Sequence, residues 1–229
     1  MKKLFPVLIV DDFLENPDKI REIALAMEYY PNDGKSPGKR TKSLNEINAK
    51  LHSYFANKIF SAYFDFNSCD LEWIINISFQ LTYPYDEERD SPFNNGWIHT
   101  DEPKPLAGVL YLTPEADINS GTCIFKIKNR ELEQSLSASN QESKFDLYKK
   151  NIKSEGYKRN INNFNDNFVE TITVKNLYNR LIAFDGNNWH SAQNLHSGDL
   201  PRLTLVFFVE SLKSTSEPPI TRINHFLYE

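Results

Sequence analysis

Between Leu71 and Tyr83 the chain alternates strictly: Leu71, Trp73, Ile75, Ile77, Phe79, Leu81 and Tyr83 interleave with Glu72, Ile74, Asn76, Ser78, Gln80 and Thr82 over thirteen positions. A period of two puts the first set on one face of an extended chain and the second on the other, so the pattern predicts one long strand. Shorter runs follow at Ala107 to Leu112, Thr122 to Lys128, Phe168 to Val174, Arg180 to Phe184, His190 to Asn194 and Arg202 to Glu210, separated by turns rich in Pro, Gly, Asn and Asp. Seven or eight short strands spaced by turns predict a sandwich or jelly roll.

The first third reads differently. Leu4 to Val10 is a short apolar run that predicts a buried strand. Asn16-Pro17 has the form of a helix start, with Ile20, Ile23, Ala24 and Met27 on one face. Residues 31–40, with two Pro and two Gly among four charges, predict a loop. Ser43 to Glu46 has the Ser-x-x-Glu form of a capping box, and Ile47, Leu51, Phe55 and Ile59 repeat every four residues behind it, which predicts one helix. The expected organisation is a single domain over 1–229: a strand and helical support layer at 1–69, a β core at 70–212 with a polar insertion at 129–167, and an extended arm at 213–229.

Composition removes several classes. A chain of 229 residues buries a core without disulfides, and Cys69 and Cys123 form neither a framework nor a CxxC site. With no signal-peptide pattern, the expectation is a reduced, cytoplasmic protein. No apolar run reaches the roughly 20 residues of a membrane span. A net charge of −5 disfavours a nucleic-acid binder that works by neutralising phosphates. Oligomeric state is not legible.

The residues that carry chemistry begin with His99-Thr100-Asp101, where positions i and i+2 of a strand offer an imidazole and a carboxylate on one side. His190, which follows the turn Gly186-Asn187-Asn188, supplies a second imidazole; His196 is its rival, but it lies in a turn where side chains are less rigidly aimed. Two His and one carboxylate on one face make the triad that suits non-haem Fe(II) and leaves open positions. An anionic cosubstrate needs a cation opposite. Arg202 opens a strand whose period of two sets Arg202, Thr204, Val206 and Phe208 on one face, and its planar fork can hold a carboxylate by two parallel hydrogen bonds with Thr204 adding a third. Tyr83 and Tyr111, read as inward residues of their strands, can each offer a phenolic hydrogen bond. Each of these residues also has an ordinary reading: hydrogen-bonded barrel histidines, an Arg202 paired with Asp199 or Glu210 at the surface, tyrosines that only pack a wall.

In order, Tyr83-Pro84, Trp97-Ile98-His99-Thr100-Asp101, Gly108 to Leu112, Ser120-Gly121-Thr122, Arg180 to Phe184, Trp189-His190 and Pro201 to Leu205 resemble the iron(II) and 2-oxoglutarate-dependent oxygenases, specifically the prolyl-hydroxylase-like branch. The likeness spans about residues 70 to 212. It implies a mainly β, α+β fold: a double-stranded β-helix (jelly roll, cupin-like) with N-terminal helices. It implies iron held by His99, Asp101 and His190, with 2-oxoglutarate held by Arg202, Tyr111 and Thr204 at its distal carboxylate and Tyr83 near its iron-bound end. The implied activity is a dioxygenase that converts 2-oxoglutarate and dioxygen to succinate and CO2 while hydroxylating an unactivated C–H bond of a peptidyl or small-molecule substrate. An intact Asp101 disfavours halogenation, because a small residue there would free a position for halide. Two other classes stand beside this one: a jelly-roll metalloenzyme using another divalent metal without 2-oxoglutarate, which has no need of Arg202, and a non-catalytic jelly-roll binding module, against which the intact His99, Asp101, His190 and Arg202 set speaks. The loops that would select a substrate, 84–96 and 129–167, carry no recognisable code.

Overall fold

The computed structural model describes residues 5–31, 38–83, 97–101, 103–129, 131, 162–193 and 201–217. Most of the expected insertion at 129–167 falls outside the described residues, as do the 84–96 loop, His196 and the end of the expected arm.

In chain order the elements are β1 (Leu8–Val10), α1 (Pro17–Leu25), β2 (Tyr30–Pro31), β3 (Lys39–Arg40), α2 (Leu44–Ile47), α3 (Ala49–Ser61), β4 (Leu71–Thr82), β5 (Leu106–Tyr111), β6 (Thr122–Ile127), β7 (Phe168–Val174), β8 (Leu181–Phe184), β9 (Trp189–Ala192) and β10 (Arg202–Ser214). The strands form two antiparallel sheets. The larger runs β1-β8-β5-β10-β4-β3-β2 and the smaller β7-β6-β9, which makes the fold a mainly β jelly roll with N-terminal helices.

Strand β4 is the long strand its alternation predicts, and β10 pairs with it from Arg202 opposite Thr82 to Ser214 opposite Leu71. A bulge between Val209 and Ser211 lets β10 run four residues past the expected end at Glu210. The two faces of the large sheet do different work. Ile75, Ile77 and Phe79 of β4 join Leu203, Leu205, Phe207 and Val209 of β10 in one core with Leu51, Phe55, Ile59 and Phe60 of α3. Each fully buried side chain of this size contributes roughly 1.5–3 kcal/mol relative to exposure. The opposite face, with Ala107 and Tyr111 of β5 and Ile182 and Phe184 of β8, packs on Ile124 and Val174 of the small sheet. Ser78, Gln80 and Thr82 share that inner side and are buried. The apolar half of the alternation therefore serves the helices, and the polar half is the floor of the barrel.

Two local readings are corrected. The stretch behind Ser43 is two helices: Asn48, at φ −157° and ψ 80°, ends α2 and caps α3 by accepting from the Leu51 amide, while the Ser43 side chain makes no cap hydrogen bond. The amide side chain outcompetes the expected capping box because it satisfies an orphan amide of the longer helix. Within the expected loop at 31–40, Tyr30–Pro31 and Lys39–Arg40 pair as two short strands that extend the large sheet. No helix among the described residues is long and apolar enough to cross a membrane.

Candidate metal centre and its pocket

His99 pairs with His190 as an isolated antiparallel bridge, each amide donating to the other's carbonyl at 2.9 and 2.8 Å, so His99 extends the small sheet beyond β9. The imidazole rings lie 4.4 Å apart between centroids. Asp101 is placed by its backbone: its amide donates to the Gly186 carbonyl at 2.7 Å, and its own carbonyl accepts from Lys104. A Cβ on Gly186 would stand 2.0 Å from the Lys104 carbonyl oxygen, so only glycine lets the 101–104 turn lie this close to the 185–188 turn. Beneath the ligands, Ile98, Phe168 and Trp189 pack with Phe125 and Phe164 and hold this end of the small sheet rigid.

The donor atoms converge. His190 Nε2 lies 3.3 Å from Asp101 Oδ2 and His99 Nε2 4.0 Å from Oδ1, and one ligand atom from each of the three residues lies within 4.8 Å of the others. The other ring nitrogens fix the tautomers. His99 Nδ1 is 2.9 Å from the Trp97 carbonyl and His190 Nδ1 is 2.9 Å from the Asn188 carbonyl. A carbonyl only accepts, so each Nδ1 carries a proton, and Nε2 is the ring atom that faces the shared space and can offer a lone pair to a metal. Two imidazoles and a carboxylate, all aimed at one point, fit a divalent transition metal.

At the other end of the barrel floor, Arg202 lies with Cζ 5.3 Å from the Tyr111 ring centroid. Its Nε is buried with no hydrogen-bond partner among the described residues. Burial pulls the guanidinium's pKa down and Tyr111 opposes that shift. A buried cation whose donor is unsatisfied costs stability unless an anion joins it, so the arginine fits a carboxylate ligand. Thr204 is buried beside it, and the Tyr111 hydroxyl lies 2.7 Å from Thr122 Oγ1.

The structure thus brings together His99, Asp101 and His190 at one place and Arg202, Thr204 and Tyr111 at another on the same barrel lining. It does not bring Tyr83 to them. Strand β4 ends at Thr82, Tyr83 shares the parity of Phe79 and Leu81 on the helix side, and it is 42% exposed. The expectation that Tyr83 points inward took the apolar set for the lining, whereas that set packs on the helices. Glu210 forms an ion pair with Lys104, not with Arg202. Two residues that sequence reasoning passed over do line the site: Gln80, in the polar half of the alternation, and Arg40, in the segment read as a loop. The alternation already marked Gln80, while nothing in the sequence marks Arg40.

The profile of a family described as "Family of unknown function (DUF6445)" matches residues 2–204. No curated protein matches the chain. Among solved structures, a prolyl 4-hydroxylase of Phytophthora capsici is 11% identical with a TM-score of 0.46, over 89% of this chain and 58% of that one. A prolyl-4-hydroxylase of Pseudomonas putida is 12% identical with a TM-score of 0.41, over 90% and 92%. HygX from Streptomyces hygroscopicus, solved with nickel, 2-oxoglutarate and hygromycin B bound, is 8% identical with a TM-score of 0.50, over 89% and 82%. The chain spans less than two thirds of the Phytophthora protein's length, and the likeness to HygX is one of fold.

Proposed function

This chain belongs to the DUF6445 family, and from that starting point we propose that it is an Fe(II)- and 2-oxoglutarate-dependent dioxygenase that hydroxylates an unactivated C–H bond of a small-molecule or peptidyl substrate. The observation that carries the reading is the pairing, in one barrel, of the convergent His99, Asp101 and His190 set with the buried, unsatisfied Nε of Arg202. A metalloenzyme without a 2-oxo acid has no use for that arginine.

Iron and 2-oxoglutarate, when bound, would supply the oxidation: dioxygen and the 2-oxo acid become succinate and CO2 as the substrate's C–H becomes C–OH. The chain's own work is binding and orientation. His99 and His190 would present Nε2 lone pairs held in place by their Nδ1–H bonds to the Trp97 and Asn188 carbonyls. Asp101 would contribute the anionic ligand, fixed by its amide on Gly186. Arg202 would donate its fork to the distal carboxylate of 2-oxoglutarate, the Thr204 hydroxyl would add a donor, and Tyr111 would brace the guanidinium with its ring while its hydroxyl accepts from Thr122 and donates to the same carboxylate. The apolar walls Ile124, Val174, Ile182 and Phe184 keep water from the space between.

The test is an anaerobic titration of the metal-free protein with Fe(II) and then 2-oxoglutarate, followed by visible absorption. Wild type should develop the charge-transfer band of a chelated 2-oxo acid, His190→Ala should lose it, and Arg202→Gln should need about 10- to 150-fold more 2-oxoglutarate, the equivalent of a charge-assisted hydrogen bond at roughly 1.5–3 kcal/mol. Bound metal with no band in wild type refutes the 2-oxoglutarate assignment.

A further inference from the structure

The barrel floor carries a second arginine. Register places Arg40 opposite Gln80, Gln80 opposite Thr204 and Thr204 opposite Tyr111, so one row of polar side chains crosses β3, β4, β10 and β5. Partners in an antiparallel ladder project to the same face, which puts Arg40 on the lining with the other three. Its position is built into the sheet edge. Gly38, at φ +76°, lies so close to β4 that a Cβ would stand 2.1 Å from the Leu81 carbonyl oxygen. On the other side, Thr41 donates its amide to the Phe79 carbonyl at 3.0 Å and accepts the Phe79 amide on its hydroxyl at 3.1 Å.

The guanidinium reaches along the floor toward the metal centre. Arg40 Nε donates to Gln80 Oε1 at 3.0 Å, and Cζ lies 5.5 Å from the Phe208 ring centroid, four residues along β10 from Thr204. Burial pulls its pKa down to about 10, with the negative charge of Asp101 opposing that shift, so it is a cation at neutral pH. Among the described residues its contacts are that hydrogen bond from Nε and the Phe208 ring, and no carboxylate lies within ion-pair distance of its two terminal nitrogens. The side chain is thus held at one end by an amide and a ring, with the carboxylate-binding edge of its fork turned to nothing the described chain provides.

Charge decides what it is for. With the pocket filled as proposed above, a divalent metal, Asp101, the 2-oxoglutarate dianion and Arg202 cancel, and among the described residues Arg40 is left as one uncompensated positive charge on a partly buried floor. One surplus charge matches a carboxylate better than a phosphate dianion. Resting on the oxygenase reading, we propose that Arg40 anchors a carboxylate of the primary substrate beside the metal centre, so that the enzyme acts on a carboxylate-bearing molecule and Arg40 sets that specificity.

The test uses protein loaded with nickel(II), which occupies the site without turnover, and isothermal calorimetry. First, 2-oxoglutarate is titrated into wild type, Arg40→Gln, Arg40→Lys and Arg202→Gln; the dissociation constant should rise at least tenfold in Arg202→Gln and stay within twofold in both Arg40 variants. Second, N-acetylglycine and its uncharged amide are titrated into the protein holding nickel and 2-oxoglutarate. Wild type should prefer the acid at least tenfold, Arg40→Gln should lose the preference, and Arg40→Lys, which keeps the charge but not the fork, should keep part of it. Inorganic phosphate should bind more weakly than N-acetylglycine. Equal binding of acid and amide in wild type, a preference that survives in Arg40→Gln, tighter phosphate binding, or an Arg40→Gln defect for 2-oxoglutarate equal to that of Arg202→Gln would each overturn the proposal. A wild type that takes nickel but no 2-oxoglutarate refutes the oxygenase reading instead, and N-acetylglycine titrated into that nickel protein then decides Arg40 separately.

Discussion

At the scale of single residues, the position of Asp101 depends on a neighbour that contributes no side chain. The Gly186 carbonyl receives the Asp101 amide, and the absence of a Cβ at Gly186 lets the Lys104 carbonyl pass within contact. Gly186→Ala is expected to push the 101–104 turn away and weaken nickel(II) binding about 10- to 100-fold, the usual consequence of disturbing the groups that orient a metal's ligands. Calorimetry with circular dichroism of the same sample separates loss of the site from loss of the fold. How far single residues were readable follows the same logic. The convergence of His99, Asp101 and His190 and the inward place of Arg202 were legible because strand parity and the order of the resembling motifs pointed to the same residues. Tyr83 was misplaced because parity says which residues share a face but not which face is the lining, and here the helices take the apolar one. Arg40 was invisible because two residues of strand between a Pro- and Gly-rich stretch and a helix carry too little pattern to read.

At the scale of elements, α3 is the main apolar cover of the large sheet, and its start depends on one side chain. Asn48→Ala removes the cap on the Leu51 amide and is expected to cost about 1 kcal/mol in urea-induced unfolding with the slope unchanged. A second tie joins the turn before α1 to the same helix: Glu15 accepts from Lys58 at 2.6 Å and from Tyr54 at 3.0 Å. The hydrogen bond from Lys58 foremost holds the Glu15 carboxyl at about 2, below its ordinary 4.5. A carboxyl lowered on folding stabilises above its unfolded value and loses that effect as pH falls through its folded one. Thermal melts of wild type and Glu15→Gln should therefore differ slightly at pH 6 and converge between about pH 4.5 and 2. A gap that widens on acidification would show that the tie does not act through the carboxylate. The existence of α3 and of strands β4 to β10 was plain in their periodicity. The break at Asn48 was not, since an i, i+4 apolar repeat runs through both helices and conceals the point at which the backbone leaves them.

At the scale of the whole molecule, the proposed ligands bridge the two sheets and the turn that leads into β5. His190 belongs to the small sheet, Arg202 to the large one, and Asp101 to the turn leading into β5. Nickel(II) and 2-oxoglutarate bound only by the folded form should raise the melting temperature, by the equivalent of about 2.7 kcal/mol at a hundred times the dissociation constant. Scanning calorimetry should show that rise in wild type, a smaller one in Arg202→Gln that keeps the metal part and loses most of the 2-oxoglutarate part, and none in His190→Ala. The jelly-roll class was legible from the count and spacing of strands. The sheet order was not, because β4 and β10 pair across more than a hundred residues and no local signal names the partner.

That order also sets a timetable for the chain as it leaves the ribosome. Strand β10 comes last among the described strands yet lies between β4 and β5 at the centre of the large sheet. Until it emerges, β4 and β5 each present an open backbone edge, to which other chains can pair. The roughly 90 residues from the end of β5 to the start of β10 take about 5–20 s to synthesise at ordinary rates. Through that interval the two strands wait unpaired on their facing edges, and a translational pause within it would lengthen the exposure.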